Sequence, residues 1–279
     1  MKKFINIVCI VLMFCIICAG CKSGGDIGRE SKEKAIKYGD DFSKIQLLNV
    51  NNEEEYLTAN EKFRLVFVMS SACGTCKRQL ETVEKFEKFY SQYLDISIVW
   101  EDKIVDKNIL EQNKIAEDKN YKLVLDRIST MTPTVLIVGL DNKVIFVSTE
   151  MDNIADKLNQ LDGVSIEAVR INVCKYFQEE NKTSKQELVY FALKGCQDCD
   201  AADSVIDEDS ELNEKYAITK IYDSSSYGEA EEVDIDNIYL SIFDIDWYPS
   251  FLIIDKENGY KLIGETDARQ LKNVLMNDK

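Results

Sequence analysis

Two short stretches of this chain concentrate its chemistry: "CGTC" (73–76) and "CQDC" (196–199), each between an apolar run and a helical pattern. Cysteines at i and i+3 in the first turn of a helix face one side and can close a small disulfide ring. The first of each pair, Cys73 or Cys196, would sit where unpaired N–H groups and the helix dipole favour negative charge, and so act as nucleophile. The second, Cys76 or Cys199, would resolve the mixed disulfide that follows. No histidine occurs anywhere. A dithiol needs none, because it supplies nucleophile and leaving group itself, whereas a Cys–His protease could not work.

Local charges separate the two sites. Lys77 and Arg78 follow Cys76, while Asp198, Asp200 and Asp203 crowd the second helix start. Cations near the nucleophile favour the reduced form and anions oppose it, so the first disulfide is expected to be the more oxidising.

The other cysteines have different prospects. "MKKFINIVCIVLMFCIICAGC" opens the chain with two lysines, a short apolar run and small residues, the layout of a secretory signal (1–21). Its "CAGC" end resembles the lipobox of bacterial lipoproteins, which implies a lipid-modified Cys21 as membrane anchor. Two acyl chains suffice for stable attachment at about 0.8 kcal/mol per buried CH₂. Cys9, Cys15 and Cys18 would leave with the signal. The remainder would lie on the extracytoplasmic face of a bacterial cell membrane, where disulfides persist. Cys174 falls on a helical stripe and is expected to be an inert core residue.

The elements that must position these thiols can be read in order. After a polar tether (22–44), "IQLLNV" (45–50) suggests a strand and "NNEEEYLTANE" (51–61) a helix start. "RLVFVM" (64–69) is an uninterrupted apolar run, as in a strand buried on both faces. Leu80, Val83, Phe86, Phe89, Tyr90 and Tyr93 then recur at helical spacing. "ISIVW" (96–100) reads as a strand and "KNILEQNKIAED" (107–118) as a helix. "TVLIVGLDNKVIFVS" (134–148) reads as a hairpin, and "MDNIADKLNQL" (151–161) as a closing helix.

A second set begins near Val164. It comprises a helical stripe (Ile166, Val169, Val173, Phe177), the strand "ELVYFAL" (187–193), the strand "YAITKIY" (216–222), a hairpin in "YPSFLIIDKENGYKLIG" (248–264) and the helix "ARQLKNVLM" (268–276). The chain's two prolines fall once in each set: Pro133 comes 60 residues after Cys73, and Pro249 comes 53 after Cys196.

Strand, C-x-x-C, helix and a later proline opening a hairpin resemble the thioredoxin family. The resemblance implies an α/β fold of two tandem thioredoxin-like domains, 45–163 and 164–279, each a central mixed sheet flanked by helices. It implies a cis proline beside each dithiol, with Thr132, Pro133, Tyr248 and Pro249 shaping substrate grooves. It also implies an extracytoplasmic thiol–disulfide oxidoreductase without cofactor or metal. Its partners would be protein thiols and disulfides, with a membrane-bound electron donor. Where many family members carry tryptophan before the first cysteine, this chain has Ala72 and Gly195; where many carry a buried acid, it has Phe67 and Tyr190.

Other classes fit less well. A net charge of −16 disfavours nucleic-acid binding. A zinc or copper carrier would have to join cysteine pairs that lie 120 residues apart. A redox-inert binding or accessory lipoprotein is the remaining alternative. The acidic stretch 228–237 is expected to be a solvated loop, and it lacks the glycine of an EF-hand calcium loop.

Overall fold

In the computed structural model, residues 35–48, 54–56, 61–70, 72–101, 121–124, 131–150, 153–228, 233–255, 257, 259–264 and 268–277 are described. The expected signal, Cys21 and the helix expected at 107–118 lie outside these residues.

The strands are β1 (Leu47–Leu48), β2 (Glu54–Glu55), β3 (Phe63–Met69), β4 (Leu94–Trp100), β5 (Tyr121–Val124), β6 (Thr134–Val138), β7 (Val144–Ser148), β8 (Gln186–Ala192), β9 (Tyr216–Asp223), β10 (Val233–Asp234), β11 (Ser250–Ile254) and β12 (Tyr260–Ile263). The helices are α1 (Gly74–Tyr90), α2 (Ile154–Asn159), α3 (Ile166–Glu180), α4 (Gln197–Glu208), α5 (Ser210–Lys215), α6 (Ile238–Phe243) and α7 (Ala268–Met276).

Two mixed sheets result, ordered β2-β1-β5-β4-β3-β6-β7 and β10-β9-β8-β11-β12. In both, the strand preceding the C-x-x-C runs parallel to its successor and antiparallel to the strand after the proline. Thus β3 pairs with β4 and β6, and β8 with β9 and β11. Residues 65–69 are all buried, as their continuous apolar run requires, and Arg64 is buried with them.

Alternation along β3 and β8 distributes the core. Leu65, Phe67 and Met69 join a cluster with Phe86 and Phe89 of α1, Val173 and Phe177 of α3, Ile242 of α6, and Val189 and Phe191 of β8. The two sheets therefore share one helical layer. Ring contacts tie it together: Phe89 lies 5.6 Å from Tyr176 and 5.7 Å from Tyr239, and Phe177 lies 5.1 Å from Tyr239. The opposite residues of β8, Leu188 and Tyr190, meet Ala202 and Ile206 of α4 and Leu271 and Leu275 of α7. On β3, Val66 and Val68 meet Ile36 and Phe42. Full burial of a phenylalanine contributes about 1.5–3 kcal/mol, so these layers are a major source of stability.

Several local expectations change. Residues 35–44, read as part of a tether, pack against the first sheet, with Phe42 fully buried and Asp41 bridged to Lys143. The helix expected near residues 51–61 is replaced at Glu54–Glu55 by a strand pairing with β1, because Leu47 and Leu48 offer an open edge. The acidic stretch is not simply a solvated loop. Asp234 and Asp236 are buried, and β10 and a 3-10 turn (Ile235–Asn237) lead into α6, whose apolar residues draw the segment inward. Strands β5 and β10 and helices α5 and α6 went unread, being too short for periodicity to show.

Candidate functional site

Both C-x-x-C motifs occupy the same local geometry. Cys73 is the N-cap of α1 (φ −87°, ψ 110°), and its Sγ accepts the Cys76 backbone N–H at 3.1 Å. Cys196 caps α4 (φ −82°, ψ 119°), and its Sγ accepts the Cys199 N–H at 3.2 Å. A sulfur placed at an N-cap takes the position of a capping oxygen, so free helix N–H groups and the dipole act on it directly. Gly195 enters this turn at φ +77°, a left-handed conformation that a side chain would disfavour.

Cys73 and Cys76 are joined by a disulfide with Cα atoms 5.3 Å apart, whereas Cys196 and Cys199 are free thiols. In each pair the first cysteine is half-buried and the second buried. Burial pushes the Cys199 thiol up to about 12, reinforced by the hydrogen bond and charge of Cys196 and by the charge of Asp203; a Leu193 backbone hydrogen bond acts the other way. Cys174 lies in the shared core, pushed up to about 12 mainly by desolvation, in keeping with an inert thiol.

The loop of the first proline lies against its dithiol. Both Thr132–Pro133 and Tyr248–Pro249 are cis. The Thr132 carbonyl oxygen lies 3.5 Å from Cys73 Sγ. Each loop is braced alike by the hydroxyl after the proline. Thr134 Oγ1 donates to the Met131 carbonyl at 2.6 Å, and Ser250 Oγ to that of Trp247 at 2.7 Å. In the second loop Tyr248 also donates to Asp223 at 3.0 Å.

Some site residues carried no signal that the motif reading used. The Tyr190 hydroxyl donates to the Cys199 carbonyl at 3.0 Å, an anchor that Phe67 cannot supply in the first half. Gln79, one turn beyond Cys76, donates from Nε2 to Asp236 at 2.9 Å across the layer between the sheets. Asn237 accepts the Ser224 N–H at 3.0 Å, and Ser226 accepts the Lys194 N–H at 3.0 Å just before Cys196. Arg78 lies 5.2 Å over the ring of Tyr227 in the same turn. Lys220 pairs with both Asp203 and Asp207 at 2.7 Å, which offsets part of the expected Asp203 charge while the rest still acts on Cys199. Met131 and Trp247, each two residues before a proline, are strongly exposed. "MTPT" and "WYPS" could have pointed to both the bracing hydroxyls and these exposed side chains.

Elsewhere, a polar cleft of about 310 Å³ lined by Gln178, Lys185, Glu187 and Asp255 lies at the end of β8 remote from Cys196. Among the described residues, no helix is long and apolar enough to cross a membrane, and no group of three or more His, Cys, Asp or Glu residues is arranged to hold a metal ion.

No family model and no curated protein matches the chain. Solved structures do. The thioredoxin domain of a thiol-disulfide oxidoreductase from Bacteroides vulgatus is 15% identical over 51% of this chain and 99% of that one, with a TM-score of 0.33. A thiol:disulfide interchange protein from Bacteroides sp. is 14% identical over 47% and 93%, with a TM-score of 0.37. The exposed lipoprotein thioredoxin of Streptococcus pneumoniae is 15% identical over 37% and 86%, with a TM-score of 0.30. Each covers about half of this chain or less. Both halves carry the order strand, C-x-x-C helix, parallel strand and cis-proline hairpin, and the chain is thioredoxin-like in fold.

Proposed function

We propose that the chain is a membrane-tethered, extracytoplasmic thiol–disulfide oxidoreductase that exchanges disulfides with protein thiols. The observation that carries this reading is the paired N-cap geometry, a sulfur at the tip of α1 and another at the tip of α4, each within 3.2 Å of its partner's backbone N–H. The tether rests on the lipobox-like "CAGC" and its Cys21.

In the reducing direction the Cys73 or Cys196 thiolate attacks one sulfur of a substrate disulfide. A mixed disulfide forms, and the departing substrate sulfur takes a proton. Cys76 or Cys199, once deprotonated, attacks its partner sulfur and releases the second substrate thiol. Two electrons pass to the substrate, and the enzyme keeps the disulfide. The oxidising direction is the reverse, starting from a disulfide such as Cys73–Cys76. Burial and then the neighbouring Cys196 sulfur keep Cys199 protonated while Cys196 attacks; capture of Cys196 in the mixed disulfide removes that sulfur's charge and eases deprotonation of Cys199, which orders the two attacks.

Disulfide reduction by the soluble body tests the reading, with Cys73→Ser and Cys196→Ser measured separately and together. Loss of at least about 100-fold in the double variant is expected from the chemistry, since serine cannot form the mixed disulfide. An unchanged rate in that variant would leave a redox-inert binding protein.

A further inference from the structure

The two candidate centres differ most on their exposed rims. In the second, Trp247 of the cis-proline loop is 63% exposed, and the next residue, Tyr248, packs on the same cluster as Cys196. An exposed indole at the edge of a reactive groove is a contact surface for an apolar side chain, because Trp contributes a large rigid area at small entropic loss. Acidic groups outnumber basic ones around it. Asp246 precedes Trp247, and Asp198 and Asp200 lie in the first turn of α4; all three are exposed and form no ion pair with another described residue. Of the nearby cations, Lys220 is held between Asp203 and Asp207; Lys194 keeps its charge 4.1 Å over the Tyr222 ring and Arg78 lies over Tyr227, so three exposed carboxylates face two cations. The first centre lacks such acids: Lys77 and Arg78 are exposed in the first turn of α1, the Arg78 guanidinium reaching the Tyr227 ring, and the residue matching Trp247 is Met131.

We infer that the second centre takes as its partner a cationic polypeptide segment bearing a cysteine disulfide, with an apolar or aromatic side chain seated on Trp247. The inference rests on the oxidoreductase reading and specifies the substrate class of its second site. Charge complementarity supplies the selection, since like charges meeting at a docking rim are rejected and opposite charges raise the association rate. The chemistry is the balanced exchange given above. Cys196 forms the mixed disulfide with the partner, Cys199 displaces it, and two electrons reduce the partner's disulfide.

The test uses the chain without its signal, carrying Cys73→Ser and Cys76→Ser and pre-reduced with dithiothreitol that is then removed. Two peptide disulfides are mixed with it in single turnover. Both carry Phe beside Cys, one flanked by lysines and the other by glutamates. At about 20 mM salt the lysine peptide should react about 10-fold faster, a ratio falling to about 2-fold at about 500 mM as screening shortens the reach of the rim. Asp198→Asn, Asp200→Asn and Asp246→Asn together should reduce the low-salt ratio to near one. Trp247→Ala should raise KM for the Phe peptide several-fold and leave KM for a matching Ser peptide unchanged. Equal rates for the two peptides at low salt, or a faster glutamate peptide, would overturn the inference and leave the oxidoreductase reading in place. Reaction with neither peptide would remove both.

Discussion

The helices that follow the two C-x-x-C motifs share a capping geometry but occupy different layers. Helix α1 buries Cys76, Gln79, Thr82, Val83, Lys85, Phe86, Phe89 and Tyr90, because it lies between the sheets against α3 and α6. Helix α4 buries only Cys199, Ala202 and Ile206, because it covers the outer face of the second sheet with α7. The first centre is therefore built into the joint between the halves, and the second stands on an outer wall. Equivalent motifs thus meet unequal mechanical surroundings, and changes to α1 should be felt by both halves.

Removing the largest contact across the joint should have the largest effect. Phe89→Ala should destabilise the protein by about 3–5 kcal/mol, since a fully buried ring packed on Tyr176 and Tyr239 is lost. Urea unfolding with hydrogen exchange would show protection falling in both sheets. Ile206→Ala, at about 2–4 kcal/mol, should lower protection chiefly in the second sheet. Equal spread of the two effects would break the contrast.

The joint should also respond to pH. Asp234 is fully buried; its Oδ2 accepts the N–H groups of Tyr239 and Leu240 at 2.8 and 3.0 Å, and its Oδ1 has no partner among the described residues. Burial pushes its carboxyl up to about 7 against the ordinary 3.8, a shift that the N–H groups and Lys85 moderate. Between those values the folded protein holds a proton that the unfolded chain has lost. Stability attached to this group is thus fully present below pH 4 and declines as pH rises through 7, by up to about 4 kcal/mol. Asp234→Asn should flatten that slope in unfolding measured from pH 4 to 8. A slope unchanged in the variant would show that another group is responsible.

Smaller effects sharpen the comparison at the thiols. Gln79→Ala leaves Asp236 without its partner from α1 and should lose about 1–3 kcal/mol. Tyr190→Phe gives the second half the residue that the first carries at Phe67. It should lose about 1 kcal/mol and loosen the first turn of α4, seen as faster alkylation of Cys199. In the native reduced protein Cys174 should remain unmodified by iodoacetamide, being sealed in the core with its thiol pushed up to about 12.

The parts of this architecture that could be read beforehand are those with strong local periodicity. Residues 65–69 and 188–192 are continuously apolar, as strands buried on both faces are, and α1 and α3 carry clean helical stripes. The dithiols were legible because their spacing is local, and the prolines because the chain has only two. What escaped depends on contacts distant in sequence. Gln79 and Asp236 are 157 residues apart, so nothing around either announces the bond. The acidic segment hid its burial because Asp234 and Asp236 find partners far from its own sequence pattern, in the N–H groups of α6 and in Gln79. Asp203 seemed to add its full negative charge at Cys196 until the fold brought Lys220 beside it.

The account depends on both cysteine pairs cycling between dithiol and disulfide, and the most direct measurement reads them separately. The chain without residues 1–21 would be equilibrated in a graded series of reduced and oxidised dithiothreitol, quenched and alkylated, and the state of each pair read by mass spectrometry. Two independent two-electron transitions are expected. That of Cys73–Cys76 should lie at the higher potential, because Lys77 and Arg78 favour its reduced form while Asp198 and Asp200 oppose that of Cys196. A Cys73–Cys76 bond that stays closed and a Cys196–Cys199 pair that stays open across the whole series would contradict it.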